Sequence, residues 1–134
     1  MRAAMGTTVY VIDPDSEKCK WIESVLARSV DAVVFLENAD PLLAEAPTGG
    51  AVCLIASVEP AEQGALGILL NLRRKGVGLP MIAIGSHTAF RTAVDIARME
   101  ATDFLERPIS DRELRAAVRR ACKGGNNGSL TRGD

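Results

Sequence analysis

Two carboxylates, Asp13 and Asp15, flank Pro14 directly after the apolar run TVYVI at 8–12. Hard oxygens at a strand end are the beginnings of a divalent-cation site, since Mg2+ takes one or two carboxylates and keeps waters in its other positions. The same residues equally suit a turn followed by a helix cap. Three more segments carry reactive or binding groups: Ala56-Ser57-Val58, Gly85-Ser86-His87 and Glu106-Arg107-Pro108. Ser57 and Ser86 would be nucleophiles only beside an orienting base, and the sequence places none. His87 is the sole histidine; without partners it reads as structural or exposed. The segment DPDS after the first run holds neither G-x-G-x-x-G nor G-K-[ST], so no phosphate-cradling loop is expected there.

The elements that must position these groups alternate in type. Residues 8–12 are β-branched and aromatic and end in turn chemistry, as a strand does. Asp15 and Ser16 can cap a helix in which Trp21, Ile22, Val25 and Leu26 form one apolar stripe. A second strand over 32–36 and a short helix over 40–46 follow. The continuous apolar run at 51–56 fits a strand covered on both faces. A third helix over about 64–75 turns Leu66, Leu69 and Leu70 inward and stops at Gly76-Val77-Gly78. Arg73, Arg74 and Lys75 then suit the negative end of its dipole. A fourth strand at 80–84 precedes a fourth helix carrying Phe90, Ala93, Val94 and Ala97. Residues 102–105 make a brief fifth strand. Ser110-Asp111-Arg112-Glu113 is a capping box opening a fifth helix whose buried face is Leu114, Ala117, Val118 and Ala121. The basic set Arg112, Arg115, Arg119 and Arg120 is most simply that helix's solvated face. Five such units predict an α/β fold with a five-stranded parallel sheet, helices on both faces and right-handed crossovers.

The 134 residues, 47% hydrophobic and 25% charged, are enough for one domain with an ordinary core. A formal charge of −1 gives no general attraction to nucleic acid or anionic membrane. No apolar run reaches the roughly 18 residues that a membrane span needs. The N-terminus MRAAMGTT lacks the apolar region of a signal peptide, and a cytoplasmic setting is expected. Cys19, Cys53 and Cys122 are widely spaced and form no C-x-x-C pair, so a thioredoxin-like or zinc site is not expected.

The motifs VIDPDSE, PAEQG, LPMIAIGSH and ATDFLERPIS together resemble the receiver domains of two-component response regulators, in particular the FixJ-type branch. The similarity runs from about Thr8 to Cys122. It implies a flavodoxin-like, doubly wound (βα)5 domain over 1–122, with 123–134 a flexible tail or linker. In that family an aspartate ending strand three accepts a phosphoryl group from a histidine kinase. Acidic residues after strand one hold Mg2+, a hydroxyl after strand four and a lysine before a proline bind the phosphoryl oxygens, and an aromatic on strand five reports the switch.

Carried onto this sequence, the resemblance puts Ala56 at the phosphoacceptor position, counted back from Pro60 and Gly64. Asp13 keeps the first acidic position, Pro14 replaces the second, and Asp15 falls one place later. Gly85 stands where the switch hydroxyl would be, with Ser86 next to it. Arg107 replaces the lysine, and Phe104 keeps the aromatic. Alanine cannot form an acyl phosphate, and one clear carboxylate holds Mg2+ weakly at most, so no cofactor is expected. These departures imply a degenerate, non-catalytic pseudo-receiver, with Asp13 and Arg107 as a bidentate ion pair. It would act by protein partnership or homodimerisation through the fourth helix, fifth strand and fifth helix. S-L-T-R in the tail resembles the start of a LuxR-type helix-turn-helix, an absent domain through which DNA would be bound and transcription controlled. Two alternatives remain: an active phosphorelay receiver with Ser57, Glu59 or Asp13 as a displaced acceptor, and a flavin- or small-molecule-binding protein of the flavodoxin type.

Overall fold

The computed structural model describes residues 6–47, 51–58, 65–86 and 103–127. Strands β1 (Thr7–Ile12), β2 (Ala32–Phe35), β3 (Ala51–Ser57), β4 (Met81–Gly85) and β5 (Asp103–Glu106) make one sheet in the order β2-β1-β3-β4-β5. Every neighbouring pair is parallel. Helices α1 (Ser16–Leu26), α2 (Asp40–Ala44), α3 (Ala65–Arg74) and α4 (Asp111–Asn127) are described. The helix expected near 90–97 lies outside the described residues, as do His87, Glu59, Pro60, Gly64 and the chain from 128 onward. Accordingly, α4 is the fifth helix in the sequence reading.

Alternation along each strand divides the core in two. Val9, Val11, Cys53, Ile55, Ile82 and Ile84 meet the buried faces of α1 and α4. Their neighbours Ile12, Leu54, Ala56, Met81 and Ala83 meet α2 and α3. Strands with apolar residues on both sides must be covered on both sides, which is why β3 and β4 are central and the half-exposed β2 and β5 are edges. The buried face of α4 is the expected one, Leu114, Ala117, Val118 and Ala121.

Local chemistry sets the helix ends. Asp15 Oδ1 accepts from the backbone N–H groups of Glu17 at 2.9 Å and Lys18 at 3.3 Å, so it is the cap that opens α1. The Lys18 N–H is the main reason its carboxyl sits below the usual range, so this cap is lost only as pH falls through that lowered value. At α4 the capping box closes both ways. Glu113 N–H donates to Ser110 Oγ at 3.0 Å, and Ser110 N–H donates to Glu113 Oε1 at 2.9 Å. Ser110→Ala should therefore cost about 1 kcal/mol, a fall of roughly 3–5 °C in a thermal melt.

Helix α3 ends in a Schellman motif. Gly76 takes φ +79°, its N–H reaches Arg73 O at 3.0 Å, and Val77 N–H reaches Leu72 O at 2.8 Å. The guanidinium of Arg73 donates to the carbonyls of Val77 and Leu79 at 2.7 and 3.2 Å. Arg73 thus pins the turn, a role more specific than the dipole interaction expected for it.

The structure corrects three details. Ile68, Leu69 and Leu72 are the inward residues of α3, whereas Leu70 is exposed and the side chain of Leu66 lies outside the described ones. Residues 68, 69 and 72 follow the i, i+1, i+4 pattern of a single helical face, and position 70 is rotated away from it. Strands β4 and β5 each end one residue later than expected, because the ladder pairs Gly85 with Glu106. Finally, α4 continues past Cys122 to Asn127, so Lys123–Asn127 extend the helix where the tail was placed. A formed helix adds one hydrogen bond per further residue, which can outweigh the roughly 1 kcal/mol penalty of each glycine.

Candidate functional site

The C-terminal edge of the sheet gathers the segments singled out by sequence. Ile12 stands opposite Ala56 and Ala56 opposite Ala83, so the residues just beyond them, Asp13, Ser57 and Ile84, crown adjacent strands. Val58 N–H bonds Ile84 O at 2.8 Å, and Arg107 N–H bonds Gly85 O at 2.8 Å. The ladder thereby carries Arg107, which precedes Pro108 through a cis bond, to the same edge as Asp13.

Asp13 and Arg107 meet there. Arg107 NH2 donates to Asp13 Oδ2 at 3.4 Å, with the Asp13 side chain 5% exposed and that of Arg107 23%. The bidentate fork expected for this pair does not form. Asp13 Oδ1 is engaged instead by the Asp15 N–H at 2.8 Å, which leaves one oxygen for the guanidinium. Both oxygens of Asp13 therefore have donors before any cation arrives.

The remaining residues divide clearly. Asp15 is committed to capping α1 and lies 3.5 Å from Lys18 Nζ, and Pro14 is exposed and offers no side-chain ligand. Ala56 is fully buried, a methyl among Ile12, Leu54, Val58 and Ala83. Gly85 is buried at the end of β4, Ser86 is half-buried just after it, and Phe104 packs on the α2–α3 side of the core. Among the described residues, no cluster of three or more His, Cys, Asp or Glu is placed to hold a metal ion.

Ser57, named above as a possible displaced acceptor, is the last residue of β3 and only 7% exposed. One participant was not anticipated. Cys19, one turn into α1, directs its Sγ to Asp13 O at 3.5 Å. Burial and then the carboxylates of Asp13 and Asp15 push its thiol pKa up. Its spacing of six from Asp13 was the available signal, because the first turn of a capped helix folds back over the strand end.

With this geometry, comparison with known proteins is informative. The transcriptional regulatory protein FixJ of Rhizobium meliloti (strain 1021) is 27% identical over 114 residues, covering 85% of this chain and 56% of that protein. A putative NtrX-like response regulator of Rickettsia bellii is 34% identical over 82 residues, covering 61% of this chain and 17% of its own. The solved structure of FixJ-N superposes with a TM-score of 0.77 at 26% identity, over 87% of this chain and 94% of that one. The chain is thus similar in sequence and fold to the receiver domains of response regulators. No family model matches it. This chain spans about half the length of the FixJ protein it matches. Among the described residues, no helix is long and apolar enough to cross a membrane.

Proposed function

We propose that this chain is a pseudo-receiver, a signalling module that keeps the shape of the family's switch and has lost its phosphorylation chemistry. The observation that carries this reading is Ala56. It is the next-to-last residue of β3, the position that the resemblance assigns to the family's phosphoacceptor, and it is a buried methyl with no oxygen to phosphorylate. The other positions support the same reading. Pro14 has no side-chain oxygen for Mg2+, Asp15 caps α1, Gly85 has no hydroxyl, and Asp13 is already paired with Arg107. A permanent guanidinium next to one carboxylate does the neutralising that a cation would otherwise do, and the edge of the sheet is held in one state.

Output would then come through association, by homodimerisation or with a protein partner. The surface favoured for this is the fifth strand with α4, together with the helix expected near 90–97. On it Arg120 donates through Nε to Asp103 Oδ2 at 3.2 Å, joining α4 to β5. Since FixJ is a transcriptional regulator and extends well beyond the matched region, an attached DNA-binding output domain following the tail is the accompanying proposal. A cytoplasmic setting goes with it.

The test is chemical. Incubation with Mg2+ and acetyl phosphate should leave the intact mass of the protein unchanged. A gain of one phosphoryl group would overturn the reading in favour of a displaced acceptor. The structure gives Ser57 little access for that role, and Asp13 has both oxygens engaged.

A further inference from the structure

A cleft of about 970 Å³ opens beside Asp13, between α1 on one side and α2 and α3 on the other. It lies over the C-terminal ends of β1 and β3, where the strand order reverses. In open α/β sheets that crevice is where ligands bind, and the volume is at the upper end of small-molecule pockets. Its wall is apolar, made by Phe35, Leu36, Leu43 and Ile68. Phe35 is 41% exposed, one of two large hydrophobic side chains left in solvent among the described residues. Among the described residues its rim is acidic, carrying Glu23, Glu37 and Asp40 with one cation, Lys20. Asp13 adds no free charge, being paired with Arg107.

We propose that this cleft binds a small organic cation, an amine carried on an aromatic or branched aliphatic body. The body covers Phe35 and the aliphatic wall, removing apolar surface from water, while the ammonium sits at the rim carboxylates. An anion of the same shape meets three like charges, and a neutral analogue loses the rim. The proposal uses neither Ala56 nor Asp13, so it stands or falls separately from the loss of phosphorylation.

The cleft contains its own reporter. Cys19 lines it and is half-buried, whereas Cys53 and Cys122 are buried in the core. The experiment measures the rate at which a disulfide reagent modifies Cys19 at about pH 8, where the probe amine is still cationic. Three probes of one shape are compared: 2-phenylethylamine, 2-phenylethanol and phenylacetate. The amine should slow the reaction saturably, the alcohol should need about fivefold more, and the acid more still. Phe35→Ala should weaken all three together, and Glu37→Lys, at an exposed position, should abolish the advantage of the amine. No protection by any probe, equal protection by all three, or protection indifferent to both substitutions would each overturn the proposal.

Discussion

Ala56→Asp should destabilise the protein by about 3 kcal/mol at neutral pH instead of recreating a phosphorylation site. The methyl it replaces is fully buried and touches apolar neighbours on β1 and β4. A carboxylate there loses its hydration, and the guanidinium of Arg107 is already shared with Asp13. Pro14 supplies no carboxylate, so the site lacks the second acidic ligand that would capture a cation to offset the new negative charge. The new carboxyl would have a folded-state pKa raised above its unfolded value of about 3.9. Its penalty is therefore full above the raised pKa and shrinks as pH falls toward the unfolded value. Melts should drop by roughly 9–15 °C at pH about 7, and by clearly less at pH about 4, relative to the parent at each pH. Mg2+ should restore stability only when Pro14→Asp is added. A single Ala56→Asp variant that melts like the parent, or that Mg2+ stabilises unaided, would contradict this account of the site.

Arg107→Ala should cost about 2 kcal/mol, or roughly 6–10 °C. Truncation leaves the nearly buried Oδ2 of Asp13 without its guanidinium donor, and an uncompensated charge costs more than the pair contributes. The backbone bond from Arg107 to Gly85 survives the substitution, so the edge of the sheet remains and the loss belongs to the side chain. Asp13→Asn should largely relieve the defect, because a neutral amide needs no counter-charge. A double-mutant cycle on these positions should give a coupling of about 1 kcal/mol. That value is modest because the contact is a single one at 3.4 Å. A coupling near zero would show that Arg107 acts independently of Asp13.

Much of the fold could be read from the chain because its signals are local. The capping box at Ser110 and Glu113, the Asp15 cap and the turn at Gly76 are written within a few consecutive residues, and each forms. The parallel sheet followed from continuous apolar runs separated by helical periods. What was misjudged depended on neighbours distant in sequence or on rotation about an axis. Leu70 looks as apolar as Leu69, and only the facing sheet distinguishes them. Arg73 reads as one of three helix-end cations, but the carbonyls it binds are positioned by the Schellman turn.

The same division applies to the site. The meeting of Asp13 with Arg107 could be inferred, since both stand at strand ends that a parallel sheet must align. Its single-contact geometry could not, because the Asp15 N–H that takes the other oxygen depends on how tightly the DPD turn closes. The cleft was invisible in sequence for a related reason. Its walls come from α1, α2, α3 and the end of β2, and no motif spans them.

The proposal that this chain is blind to phosphorylation meets its most direct test with beryllofluoride, which adds to a carboxylate oxygen as a phosphoryl group does. In 1H–15N spectra recorded with saturating Mg2+, titrated beryllofluoride should leave the amides of Asp15, Ser57, Gly85 and Arg107 where they are. Saturable, Mg2+-dependent shifts at those amides would contradict the account and restore an active acceptor to the site.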